Sequence, residues 1–129
     1  MPGNRDGLPS MSWVYRSRAD AEEQRIVEDW GSLNWLSGGE LTGSDITVGR
    51  VIIKTGRSNP RHIHANCTEV LTMLAGVLEH SIGDDTVVTK AGDTIIVPPG
   101  VAHVARNIGD EDADMIVAYP SGLRGFEVV

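Results

Sequence analysis

The sequence predicts an all-β domain, a small two-sheet sandwich or closed barrel with a short N-terminal arm, and three observations carry that prediction. At 129 residues the chain has the usual size of one domain, long enough to bury a core without disulfide or zinc staples. From Asp45 onward it is built of short runs of Val, Ile, Thr and Leu, each cut by Gly, Pro, Asp or Asn, the texture of many short strands. Those runs mix alternating with continuous apolar stretches, as expected where one sheet face meets a core and the other is partly covered.

Taken in order, residues 1–12 (MPGNRDGLPSMS) are rich in Gly, Pro and Asn and read as a flexible arm, so the domain is expected over 13–129. Within SRADAEEQRIVEDWG one short helix is expected, with Ser17 or Asp20 as its cap and Glu22 and Glu23 near its positive end. Trp30 and Trp35, in DWGSLNWLSGG, are expected to pack at a barrel mouth. The strands are then ITVGRVIIK, RHIHA, EVLTMLA, VLEHSI, TVVTK, TIIVP, AHVARNI and DMIVAYP. The segments between them (TGRSNP, GDD, AGD, PPGV, GDEDA) carry the Gly, Asp and Pro that tight turns use. No residues remain for an appended DNA-binding helix pair.

Charge and cysteine content narrow the partners. With 11 Lys+Arg against 18 Asp+Glu and a net charge of -7, nucleic acid and anionic membrane surfaces are excluded as natural partners; a small neutral or cationic molecule is the expected one. The single cysteine, Cys67, has no intrachain partner, which makes a reducing cytoplasm the expected location. No apolar run approaches the roughly 20 residues of a membrane helix, and no signal-peptide core stands at the N-terminus. Trp13 and Tyr15 suit an added strand on a second copy, so a homodimer is expected.

The chemistry concentrates in PRHIHANCTEVLTMLAG. Side chains alternate faces along a strand, so His62 and His64 point the same way and form a two-nitrogen clamp. Glu69 lies at an odd offset from His64 and joins them only if ANCT breaks the strand, which Asn66 favours as a turn former. Leu71, Met73 and Ala75 then share its face. A further histidine, His103, opens a strand after the turn Pro98-Pro99-Gly100 and faces either inward or outward. Facing inward, it completes three imidazoles and one carboxylate, a donor set suited to Fe, Mn, Ni, Co or Zn as the divalent ion. By spacing alone the same residues also read as ordinary strand decoration. Cys67 reads as a small buried hydrophobe and His80 as solvent-facing. Leu71 and Met73 are core residues that also qualify as walls of a substrate pocket. Arg57 and Arg61, flanking these residues, read as solvated loop cations, and as functional groups both are able to hold a substrate carboxylate by bidentate pairing, Arg61 being the pocket candidate. Tyr119, His80, Arg61 and Lys54 are the groups that would move a proton if they enter the pocket.

Two spacings then resemble a known family. GRSNPRHIHANCTEVLTMLAG fits G-x5-H-x-H-x4-E-x6-G at Gly56, His62, His64, Glu69 and Gly76. GDTIIVPPGVAHVARN fits G-x5-P-x-G-x2-H-x3-N at Gly92, Pro98, Gly100, His103 and Asn107. These are similar to the two motifs of the cupin superfamily, with every defined position filled, and the short Val77–Ala91 interval resembles that of compact single-domain bacterial cupins. The resemblance implies a double-stranded β-helix, or jelly-roll barrel, of six to eight core strands. It also implies that His62, His64, Glu69 and His103 converge on one divalent metal. Family membership selects no reaction. A dioxygenase-type oxidoreductase is the leading expectation; a redox-neutral isomerase, lyase or decarboxylase and a non-catalytic small-molecule binder are the alternatives.

Overall fold

Strand formation in this chain follows the burial of every second side chain. The computed structural model describes residues 13–129; the arm expected over 1–12 lies outside them. The elements are α1 (Arg18–Glu23), β1 (Ile26–Glu28), β2 (Gly31–Ser37), α2 (Gly39–Thr42), β3 (Thr47–Ile53), β4 (His62–Ile63), β5 (Glu69–Ala75), β6 (Leu78–Ile82), β7 (Asp85–Thr89), β8 (Thr94–Val97), β9 (His103–Asn107), β10 (Ala113–Tyr119) and β11 (Glu127–Val128). Both β3 and β10 alternate buried and half-buried residues along their whole length, the mark of strands with one face on a core.

Two antiparallel sheets result. One has the order β1-β2-β3-β10-β5-β8, the other β11-β4-β9-β6-β7. They face each other as a jelly roll, and Val51, Ile53, Leu71, Met73, Leu78, Met115 and Val117 fill the space between them. All eight expected strands form within a residue or two of their expected positions, although RHIHA keeps ladder pairing only at His62 and Ile63. Three further strands bring the number to eleven among the described residues.

The expected helix is shorter than its segment. Ser17 caps it, its Oγ accepting from the Asp20 N–H at 3.0 Å, and it ends at Glu23. Ile26 and Val27, β-branched and poor helix formers, then enter β1, and Gly31 begins β2. That strand was not anticipated as one, yet it pairs with β3 from Gly31↔Ile53 to Ser37↔Val48. No helix among the described residues is long and apolar enough to cross a membrane.

Two glycines hold the barrel in shape. Gly76 turns from β5 to β6 with φ +85°, and a Cβ there would sit 2.7 Å from the Ala113 Cα, so only glycine fits. At Gly49 a Cβ would meet the Trp35 ring at 2.5 Å; the missing side chain is the space that Trp35 occupies.

Candidate metal centre

The turn that Glu69 requires is present. Strand β4 stops at Ile63, residues 65–67 bend, and β5 restarts at Glu69 in the opposite sheet. Asn66 fixes the bend: its Nδ2 donates to the Leu123 carbonyl at 2.8 Å and its Oδ1 accepts from the Gly125 N–H. His62 and His103 are cross-strand partners on β4 and β9, so the inward choice is the one His103 makes. Two imidazoles thus come from one sheet, the carboxylate from the other, and His64 from the bend between them.

One potential ligand atom from each of His62, His64, Glu69 and His103 lies within 4.8 Å of all the others, and all four residues are buried. The Nδ1 atoms of His62, His64 and His103 each donate to a backbone carbonyl, of Pro60 at 2.7 Å, Gly125 at 2.7 Å and Val101 at 2.9 Å. A carbonyl can only accept, so the Nδ1 protons are fixed and every Nε2 points to the common centre. There the Nε2 atoms of His62 and His64 stand 3.2 Å apart. In neutral rings with Nδ1 protonated, those are two lone pairs facing each other, an arrangement that a cation between them relieves. Glu69 Oε1 is 2.8 Å from His103 Nε2 and 3.4 Å from His64 Nε2, while Oε2 accepts from the Tyr119 hydroxyl at 2.9 Å. The donor set and its geometry therefore fit a divalent ion held by three nitrogens and one oxygen.

Electrostatics in the protein alone follow the same geometry. Burial pulls His62 down to about 4, helped by the neighbouring imidazoles of His103 and His64. Burial would raise Glu69, but its hydrogen bonds to His103 and His64 win and hold it well below the usual carboxylate range. Burial likewise pulls on His103, and its bond to Glu69 overcomes this and raises it. Burial and the Glu69 carboxylate push the Tyr119 phenol up. The Glu69 carboxylate is thus held in its charged form against the imidazoles, and a metal would compete with His103 and His64 for its oxygen.

Above the four residues lies a cavity of about 250 Å3, walled by Leu33, Val51, Leu71, Ile95, Met115 and Val117. Trp30 and Trp35 line it, as does Tyr119. Of the other pocket candidates, Leu71 lines the cavity, whereas Met73 is 1% exposed inside the core and is not a wall residue. Arg61 is exposed and is not among the residues lining the cavity; its carbonyl accepts from the Val129 N–H. Lys54 is exposed too. His80 corrects the reading that it faces solvent: it is 3% exposed, lines the cavity and pairs through Nε2 with Thr89 Oγ1 at 2.9 Å. Burial lowers it to about 4. Its position on β6, opposite Ala105 of β9, faces inward because Leu78 and His80 share one side of the strand. Cys67 is buried, as expected, with a thiol that burial pushes up.

Sequence reasoning missed Asn59, Arg124 and Phe126, all of which line the cavity. The last two lie on a C-terminal strap anchored by β11, which pairs with β4 over only two residues. The one available signal is the aromatic and cation spacing in LRGF, which no strand period explains.

A family model described as Cupin domain matches residues 49–119. Germin-like protein 3-5 of Oryza sativa subsp. japonica is 33% identical over 111 residues, covering 80% of this chain and 45% of that protein. Oxalate oxidase GF-2.8 of Triticum aestivum is 29% identical over 111 residues, covering 80% and 46%. The chain therefore spans about half the length of the curated relatives it matches. Among solved structures, a Lactobacillus farciminis oxalate decarboxylase in complex with formate superposes with a TM-score of 0.79 at 17% identity, over 92% of this chain and 36% of that one. An oxalate oxidase in complex with the substrate analogue glycolate gives 0.71 at 24% identity, over 80% and 57%. Both share the fold.

Proposed function

The chain belongs to the cupin family, and from that premise we propose that it is a metal-dependent oxidoreductase that consumes oxygen, of the oxidase or dioxygenase type, acting on a small carboxylate. The observation that carries this reading is the meeting of three Nε2 atoms and the Glu69 carboxylate under a mainly apolar cavity. Relatives whose names state oxalate oxidation support the carboxylate. His62, His64, Glu69 and His103 would hold the ion. Bound there, a redox-active divalent metal supplies electron transfer and polarises substrate oxygen. The carbonyls of Pro60, Gly125 and Val101 keep the three rings aimed, Tyr119 holds Glu69, and the apolar wall keeps water out. Pairing into a homodimer belongs to the same proposal, supported by the exposed Trp13, Val14 and Tyr15 beside the barrel.

One observation favours a second reading, decarboxylation without net oxidation. His80, neutral and inside the cavity, is a group able to handle a proton. Metal-loaded protein offered oxalate and other small carboxylates, with dissolved oxygen and released CO2 followed together, separates the two. Oxygen consumption that depends on the acid is the expected result. CO2 without oxygen uptake selects the decarboxylase, and neither signal in stoichiometrically loaded protein leaves a non-catalytic binder.

A further inference from the structure

Arg124 stands inside an aromatic cage. Its guanidinium carbon lies 4.5 Å from the Trp35 ring centroid, 5.1 Å from that of Phe126 and 5.4 Å from that of Tyr119. Three ring contacts hold the cation but offer its N–H groups no oxygen or nitrogen acceptor. Nη1 is buried and has no hydrogen-bond partner among the described residues. A buried guanidinium donor without an acceptor is costly, and no ion pair joins Arg124 to an acid among the described residues.

The strap that carries Arg124 is built into the metal centre. Leu123 and Gly125, on either side of it, are bonded to the Asn66 side chain, and the Gly125 carbonyl orients His64. Arg124 and His64 flank the same two rings: the His64 centroid is 4.9 Å from Tyr119 and 6.0 Å from Phe126. Both line the cavity above the cluster, whose apolar wall includes Leu33, Val51, Leu71, Ile95, Met115 and Val117 and whose polar lining includes Glu28, Asn59 and His80; Arg124 also borders a second, more open pocket shared with Trp35 and Phe126.

We propose that Arg124 is a substrate anchor that pairs with the carboxylate of an acid bearing an apolar or aromatic body. The guanidinium takes the carboxylate in its fork, the body lies along the aliphatic wall, and the far end is directed toward the four-residue cluster. An acid of two carbons would leave most of the 250 Å3 cavity unfilled, so the ligand class is larger than oxalate. This rests on the reading of the cluster as a metal-dependent enzyme site, and it names the substrate that site would take.

The test uses two probes of one shape and different charge, phenylacetate and phenylacetamide, titrated calorimetrically into the full-length chain with and without loaded metal. The native chain is expected to bind phenylacetate at least tenfold more tightly than the amide. Arg124→Met should abolish that preference with its metal content unchanged, and Arg124→Lys should restore only part of it. Phenylacetate affinity in R124M within twofold of the native value overturns the anchor. Should R124M fail to fold, equal affinities of the native chain for the two probes overturn it instead. Arg124-dependent phenylacetate binding in a chain that takes up no metal keeps the anchor and removes the enzyme reading. Normal metal uptake with no charge preference removes the anchor alone.

Discussion

His80 shows at the residue scale how burial reverses a plain expectation. A histidine ahead of a turn reads as exposed, but β6 gives one face to the barrel interior and His80 shares that face with Leu78. The folded chain resists protonating it until about pH 4, whereas the unfolded chain takes the proton near 6.5. Between those values the unfolded state binds more protons, so stability is complete above about pH 6.5 and falls as pH drops toward 4. The full effect is on the order of 3 kcal/mol. His80→Gln, which keeps a partner for Thr89, should flatten this dependence, leaving the contribution of His62. Urea midpoints at several pH values between neutrality and about pH 4 measure it; an unchanged pH slope in the variant would show that His80 is not the group responsible. The metal cluster was more legible than His80, because His62, His64, Glu69 and His103 stand at spacings that a strand, a bend and a Pro-Gly turn convert into one centre. Arg124 was illegible for the opposite reason: Trp35, the ring nearest its guanidinium, comes from β2 at the other end of the chain, and Tyr119 and Phe126 close round it only through a strap that no strand period marks.

At the scale of elements, the last residue of the second motif does structural work that its spacing does not reveal. Asn107, at the end of β9, is 2% exposed; its Nδ2 donates to the Ile53 and Glu111 carbonyls at 2.9 Å each, and its Oδ1 accepts from the Gly109 N–H at 2.9 Å. It ties the small sheet to the end of β3 and shapes the turn into β10. Asn107→Ala leaves three backbone groups without their side-chain partner, the Ile53 carbonyl buried and the other two part-buried, and we expect a loss of about 2 to 3 kcal/mol, roughly 10 °C in Tm. Calorimetric melts check it, and a Tm within about 2 °C of native would contradict the account. The strands flanking the motifs were readable from their alternation. Strand β2 was not: its Leu33 and Trp35 do alternate with Ser32 and Asn34, but Leu36 breaks the period and the run is short. Only its pairing with β3, and the space above Gly49 for Trp35, makes it a strand. The short helix was readable from its Ser17 cap, whereas its end depends on β1 finding β2, and this leaves Glu22 and Glu23 in the last turn and not near the positive end.

For the whole molecule, the two sheets supply different parts of the centre: His62 and His103 from one, Glu69 and Tyr119 from the other, and His64 from the bend that links them. The core of Ile53, Met73, Leu78, Met115 and Val117 closes the barrel without help from any of the four, so fold and metal site are separable. The central claim is that these four side chains hold one divalent ion. The most direct measurement is elemental analysis of the native chain and of His64→Ala after the same metal loading, beside their circular dichroism. The account predicts about one metal ion per native chain and little in the variant, with the same β spectrum in both. Stoichiometric metal retained by folded H64A would contradict it.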